Sequence, residues 1–148
     1  MFASIVVGTD GSDTALKAVG QAVDLARTVN ATLEIVSAYE PVSNVRAAED
    51  RPDVPGDLEW TLNPREEVDA TLATAAGLAE KAGIATIRTH ARQGDPADAI
   101  LDVAEEQAAD LIVVGNKGMT GAKRFLLGSV PNKVSHHAPC SVLIVRTT

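Results

Sequence analysis

Near its amino terminus the chain reads SIVVGTDGSDTALKAV over residues 4–19, and this stretch joins two different hydrophobic patterns. Residues 4–9 form a short apolar run of the kind found in strands that are buried on both faces. Behind Ser12, a residue type that favours the N-cap, apolar side chains recur at helical spacing, at Leu16, Val19, Val23 and Ala26. The stretch therefore predicts a buried strand followed directly by an amphipathic helix.

The pairing of strand and helix recurs along the rest of the chain. Apolar runs predict further buried strands at 32–38, 111–114 and 141–146, and a weaker, alternating run predicts a strand near a sheet edge at 84–91. Helical stripes begin at Pro64, at Pro96 behind the N-cap residue Asp95, and at Ser129. The first of these stripes ends at position 83, and the last must end before Pro139.

Strands that alternate with helices in this way predict an α/β fold. We expect an open five-stranded parallel sheet with right-handed crossovers and helices on both faces, a Rossmann-like arrangement in a single domain spanning residues 1–148. The strand order expected from other folds of this type is 3-2-1-4-5. Ligands of such sheets bind beyond the carboxyl ends of the strands, at the point where the strand order switches.

Charge and composition exclude several classes of protein. With 13 basic against 20 acidic residues the net charge is −7, which argues against a nucleic-acid partner. Any bound anion must be held locally, by backbone amides and a few cations. Because no segment reaches the ~18 apolar residues of a membrane span and no signal peptide is visible, we expect a cytoplasmic protein without a membrane partner. The single Cys140 excludes an intramolecular disulfide.

Two connections are longer than those of ordinary α/β units. Residues 40–62 are rich in proline and in acidic residues, and we interpret them as a flexible acidic insertion. The sequence leaves open whether this segment closes over a ligand. Trp60 lies within this segment, and we interpret it as a packing residue rather than one that stacks on a base.

The second long connection reads GNKGMTGAKRFLLGS over residues 115–129. Its first three glycines, at three-residue spacing, allow the backbone to turn tightly and to approach a ligand. Successive amides in such turns form an anion-binding concavity, and the helix that Gly128 and Ser129 open would favour a phosphate at its start. Taken alone, the pattern equally fits a glycine-rich surface loop with an ordinary N-cap. Its cations fit either role: Lys117, Lys123 and Arg124.

The spacing Gly115-x2-Gly118-x9-Gly128-Ser129 resembles the nucleotide-binding signature of the ATP-binding universal stress proteins. The resemblance extends over nearly the whole chain, through GTDGS at 8–12, GDP at 94–96, ADLIVVG at 109–115 and PCSVLIV at 139–145. It implies an adenine nucleotide as ligand, either ATP, which Mg²⁺ would accompany, or AMP or cyclic AMP. It also implies a nucleotide-responsive regulator or buffer in the stress response.

The resemblance further assigns roles to individual residues. Asp10 would lie beside the base and ribose or a phosphate-bound Mg²⁺, and Ala38 would offer backbone groups to the adenine. The complete set of implied nucleotide contacts is Gly8, Thr9, Asp10, Ala38, Val114, Gly115, Gly118, Gly128, Ser129 and Val130. Pro131 departs from the family pattern, in which a hydroxyl residue often stands at that position. A homodimer is also implied, formed by the apolar run at 142–145, which would lie at an open sheet edge.

The sequence contains none of the common arrangements of catalytic residues or metal ligands. His136 and His137 are adjacent and would point in different directions on a helix, so they make a poor metal pair. The dinucleotide motif GxGxxG after the first strand and the phosphate loop GxxxxGK[ST] are both absent. An enzyme of the ATP-pyrophosphatase type remains the alternative, although DGSD at 10–13 lacks its pair of adjacent glycines. We expect a binding module with very slow ATP hydrolysis at most.

Overall fold

The computed structural model describes residues 2–39, 64–116 and 127–147. Five parallel strands within these ranges form one sheet: β1 (Ser4–Gly8), β2 (Thr32–Tyr39), β3 (Ile87–Gln93), β4 (Leu111–Gly115) and β5 (Ser141–Val145). Their order is β3-β2-β1-β4-β5, which confirms the predicted order. Because β1 lies between β2 and β4, the strand order switches between β1 and β4.

Four helices accompany the strands in the described part of the chain: α1 (Asp13–Val29), α2 (Pro64–Lys81), α3 (Pro96–Glu106) and α4 (Ser129–His137). The side chain of Ser12 accepts a hydrogen bond from the Ala15 amide, and that of Asp95 accepts one from the Asp98 amide. Both predicted N-caps are therefore confirmed. None of these four helices is long and apolar enough to cross a membrane.

The third strand begins later than the predicted range 84–91. The Ile84 amide donates to the Ala79 carbonyl at 3.2 Å, and Gly83 has a φ of +87°, so these residues complete the turn that ends α2. Ile84 is buried against the core, but in this turn rather than in the sheet. The strand starts at Ile87 and continues to Gln93, which pairs with Tyr39 of β2.

Buried aliphatic side chains cover both faces of the sheet, as expected for strands without a solvated face. One layer joins the sheet to α1 and α2 and includes Ile5, Val7, Val19, Leu33, Ile35 and Leu72. The other layer joins it to α3 and α4 and includes Val6, Val36, Ile100, Ile112, Val114 and Val134. Successive side chains of β1 thus pack into opposite layers, with Ile5 and Val7 in the first and Val6 in the second.

A buried carboxyl group that the sequence pattern does not reveal lies inside this sheet. Glu34, in the middle of β2, has a fully buried side chain. Its two carboxylate oxygens contact the neighbouring strand, one at 2.8 Å from His90 Nε2 and the other at 3.0 Å from Arg88 Nη1. The edge strand β3 therefore supplies two polar partners, Arg88 and His90, to a buried acid of β2.

Candidate functional site

A cleft opens at the carboxyl ends of β1 and β4, where the strand order switches. About 370 Å³ of empty space, part of it open solvent, lies within this half-open cleft. The described residues around it come from the two strand ends and from α1, α3 and α4: Gly8, Thr9, Asp10, Ser12, Ala15, Ile100, Val114, Gly115, Val130 and Pro131. This is the position at which doubly wound sheets bind their ligands.

Gly8, the last residue of β1, forms part of the cleft and packs directly against α3. A β-carbon placed on Gly8 would lie 2.4 Å from Ile100 Cδ1 and 2.9 Å from Ile100 Cγ1, closer than such atoms can approach. The backbone of Gly8 is not left-handed, so the requirement for glycine arises from this contact. A side chain here would have to displace Ile100, which is buried in the layer beneath the cleft.

The segment after β1 holds a carboxylate at the edge of the cleft. Oδ1 of Asp10 accepts hydrogen bonds from the amide of Ser12 at 2.9 Å and from its hydroxyl at 2.6 Å. Between them, Gly11 adopts a φ of +83° and its amide donates to Thr9 Oγ1. The resulting tight turn fixes the Asp10 side chain before any ligand arrives. A carboxylate held in this way can accept hydrogen bonds from sugar hydroxyls or bind a divalent cation.

The start of α4 forms the opposite side of the cleft. Gly128 is the N-cap, with extended backbone and no side-chain cap, and its carbonyl accepts the first helical hydrogen bond, from Asn132, at 3.0 Å. Ser129 is therefore the first residue of the helix rather than its cap, which leaves its exposed hydroxyl without a capping role. The amides of Ser129 and Val130 precede the first helical bond, whereas Pro131 has no N–H to offer. Two amides and the helix dipole thus favour an anion here.

Most of the residues implied as nucleotide contacts lie around this one cleft. Six of them line it: Gly8, Thr9, Asp10, Val114, Gly115 and Val130. Gly128 and Ser129 adjoin it at the start of α4. Ala38 is not among the described lining residues, and its side chain packs against the core layer of α3 and α4.

Several sequence-based assignments lie outside the described residues. These are Gly118, the loop cations Lys117, Lys123 and Arg124, and the insertion at 40–62 with Trp60. The sequence reasoning also missed a residue that lines the cleft, Ile100. Its place in an apolar helical stripe predicts burial but gives no signal that it would meet Gly8.

Charged groups link the two helices that flank the cleft. Lys133 of α4 lies 2.8 Å from a carboxylate oxygen of Asp98 and 3.3 Å from one of Asp95, both at the start of α3. The Asp98 amide, and then the Lys133 ammonium, hold the pKa of Asp95 below its ordinary value. Burial raises the pKa of the Cys140 thiol, which disfavours a reactive thiolate. Across the described ranges, no group of three histidine, cysteine or acidic residues could hold a metal.

The fold and the site together define a class of protein. The sheet is doubly wound and parallel, and its glycine-lined cleft adjoins the start of a helix. This arrangement is typical of α/β proteins that bind anionic ligands at the carboxyl ends of their strands. Within that class, a model described as the universal stress protein family matches residues 1–146. The chain belongs to the universal stress protein family.

Relatives and solved structures resemble the chain over nearly its whole length. A universal stress protein of Mycobacterium tuberculosis is 39% identical over 148 residues, which cover 99% of this chain and 98% of the relative. The crystal structure of a universal stress protein in complex with cAMP is also 39% identical, covers 99% of both chains and has a TM-score of 0.75. The Archaeoglobus fulgidus universal stress protein in complex with dAMP is 26% identical, with a TM-score of 0.69 over 97% of this chain and 98% of that one.

Proposed function

We propose that this chain binds an adenine nucleotide in the cleft between the ends of β1 and β4. The observation that carries the proposal is the meeting of Gly8 and Gly115 with the uncapped start of α4 in one cleft. Exposed backbone next to a helix start provides amides for a phosphate without a bulky side chain. Related universal stress proteins in complex with cAMP and dAMP support the choice of an adenine nucleotide.

Different residues around the cleft contact different parts of the proposed nucleotide. The Ser129 and Val130 amides hold the phosphate, and the Ser129 hydroxyl donates a further hydrogen bond to it. Asp10 faces the ribose hydroxyls, because a carboxylate repels phosphate but accepts from hydroxyl groups. When ATP is bound, Asp10 is also the residue placed to accept a Mg²⁺ ion that neutralises the additional phosphates.

A ligand with one phosphate suits this site better than a triphosphate. Pro131 removes the third amide that the first turn of α4 would otherwise offer, and the protein carries a net charge of −7. AMP or cyclic AMP requires only one phosphate to be held by local amides. We therefore propose that these ligands bind more tightly than ATP.

The proposed role is that of a nucleotide-responsive cytoplasmic regulator or buffer rather than an enzyme. Among the described residues that line the cleft, Asp10 is the only ionisable side chain, and two hydrogen bonds from Ser12 already hold its Oδ1. Phosphate release from ATP and Mg²⁺ should then stay far below ~10 s⁻¹, a typical enzymatic rate. Release near that rate, lost in Asp10→Ala, would favour the ATP-pyrophosphatase reading instead.

A matched pair of variants tests the nucleotide site. Ser129→Asp places a negative charge at the first position of α4, where acidic residues stabilise a helix but repel a phosphate. Ser129→Asn has the same shape without the charge. The two variants are compared by calorimetric titration with cyclic AMP, AMP, ATP and adenosine. The Ser129→Asp variant should bind each of the three phosphate-bearing ligands about tenfold or more weakly than the Ser129→Asn variant does. Adenosine, which has no phosphate, should bind both variants with similar affinity. If both variants also bind the phosphate-bearing ligands equally well, the phosphate does not lie at the start of α4.

A further inference from the structure

Asn116, the residue directly after β4, makes hydrogen bonds to two separate parts of the chain. Its amide donates to the Val145 carbonyl at 2.8 Å, and its own carbonyl accepts from the Gly128 amide at 2.9 Å. Its side-chain Oδ1 accepts from both the amide of Thr147, at 2.8 Å, and the hydroxyl of Thr147, at 3.1 Å. One residue thus contacts the end of β5, the segment after β5, and the cap of α4.

The contact with Thr147 is a buried one. Thr147 is only 3% exposed, and its carbonyl accepts a hydrogen bond from Lys17 Nζ of α1 at 3.3 Å. Two donors of Thr147 therefore depend on a single acceptor, Asn116 Oδ1, among the contacts that the structure describes. Removing that acceptor would leave a buried amide and hydroxyl unsatisfied, which buried polar groups seldom tolerate.

Asn116 also fixes both sides of the proposed phosphate site. Gly115, which precedes it, lines the cleft, and Gly128, whose amide donates to its carbonyl, caps the helix whose first amides are proposed to hold the phosphate. A ligand that draws these two residues together must act on Asn116, since it is bonded to one and adjacent to the other. The same residue then transmits the change to Thr147 through Oδ1.

We propose that Asn116 is a positioning residue of the nucleotide site and couples its occupancy to the segment after β5. This inference rests on the proposed function, because it assumes that the cleft binds a nucleotide. Coupling of this kind is reciprocal: if the nucleotide strengthens the contact between Asn116 and Thr147, then that contact strengthens nucleotide binding.

The experiment measures both directions of the coupling on the full chain, with cyclic AMP as the probe. In the parent, saturating cyclic AMP should slow hydrogen exchange of the Thr147 amide. Asn116→Ala should weaken cyclic AMP about tenfold and abolish the dependence of Thr147 exchange on the nucleotide. Thr147→Val, which loses the hydroxyl, should weaken binding several-fold, whereas Thr147→Ser, which keeps both donors, should restore it. The double variant should bind as weakly as Asn116→Ala alone, since both changes remove one shared contact.

Failure of the inference differs from failure of the proposed function. If the parent binds none of cyclic AMP, AMP and ATP, both are wrong. If the parent binds cyclic AMP but folded Asn116→Ala binds it equally well, the nucleotide site stands and the positioning role is overturned. Should Asn116→Ala fail to fold, the Thr147→Val and Thr147→Ser pair decides, and equal affinities with unchanged exchange at position 147 would refute the coupling. Ser135→Ala serves as the control, because its exposed hydroxyl donates to the Asn132 carbonyl within α4.

Discussion

Ile100 of α3 lies so close to Gly8 of β1 that a β-carbon at position 8 would come within 2.4 Å of its terminal methyl group. This contact joins a core helix to the edge of the candidate nucleotide cleft. Ile100 contributes both to the core and to the cleft, because it belongs to the core layer under α3 and α4 and also lines the cleft. The shape of the cleft therefore depends on core packing as well as on loop sequence.

We predict that Gly8→Ala destabilises the protein by about 1–3 kcal/mol, the usual penalty for overpacking. Ile100→Val removes the terminal methyl group that the new β-carbon would meet, and alone it should cost about 0.5–1.5 kcal/mol. In combination the two changes should be less destabilising than the sum of the single ones. Urea unfolding of the four proteins gives this comparison. If the two free-energy changes are strictly additive, contact with Ile100 is not the reason that position 8 requires glycine.

The sequence predicted the sheet and both N-caps because these follow from local patterns, whereas the strand order was expected from other folds of this type. Short apolar runs such as 111–114 are typical of strands buried between layers, and Ser12 and Asp95 carry the cap chemistry themselves. The contacts that shape the site, and the one that accommodates the buried Glu34, are different. Gly8 with Ile100, Asn116 with Thr147, and Glu34 with His90 join residues far apart in the chain, and no periodicity encodes such pairings. The start of β3 was misplaced for a related reason, since Ile84 is apolar but packs beside α2.

The buried acid Glu34 depends unequally on its two partners. We predict that His90→Ala destabilises the protein by roughly 1–3 kcal/mol, because it removes a nearly buried partner from an unexposed carboxylate. Arg88→Ala should cost less than about 1 kcal/mol, since the Arg88 side chain is 54% exposed and water can replace it. Thermal or urea unfolding at neutral pH measures both. The reverse ranking would show that Arg88 is the partner on which the buried Glu34 depends more.

The cap of α3 should depend on pH in one direction. The pKa of Asp95 is depressed in the folded state by the Asp98 amide and by Lys133. Its stabilisation is thus complete above the unfolded pKa of about 4 and is lost as the pH falls through the lower, folded value. Asp95→Ala should lower the unfolding free energy by about 1 kcal/mol at pH 7, and the difference from the parent should shrink below pH ~4. Asp95→Asn keeps a capping oxygen without the charge, so its own cap should not vary with pH.

Pro131 provides a test of the preference for one phosphate. We predict that Pro131→Ser strengthens ATP binding relative to AMP by about tenfold, through an added amide and hydroxyl, since hydrogen bonds to charged groups are worth about 1.5–3 kcal/mol. Pro131→Ala restores the amide alone and should give a smaller gain. Calorimetric titration of ATP and AMP into each protein gives the ratio. If neither variant changes it, proline is not what limits the number of phosphates.

The last prediction concerns self-association through β5. This strand pairs only with β4 in the described part of the chain, and it presents Leu143 and Ile144, which are 40% and 37% exposed. An apolar strand at a sheet edge pairs readily with another chain, so we predict a homodimer that involves residues 142–145. In sedimentation at micromolar concentration, Ile144→Lys should be monomeric while the parent is dimeric. Leu78→Lys is the matched control, because Leu78 is an equally exposed apolar residue, at 42%, but lies on α2. A monomeric parent, or a folded Ile144→Lys that stays fully dimeric, would place the interface elsewhere or remove it.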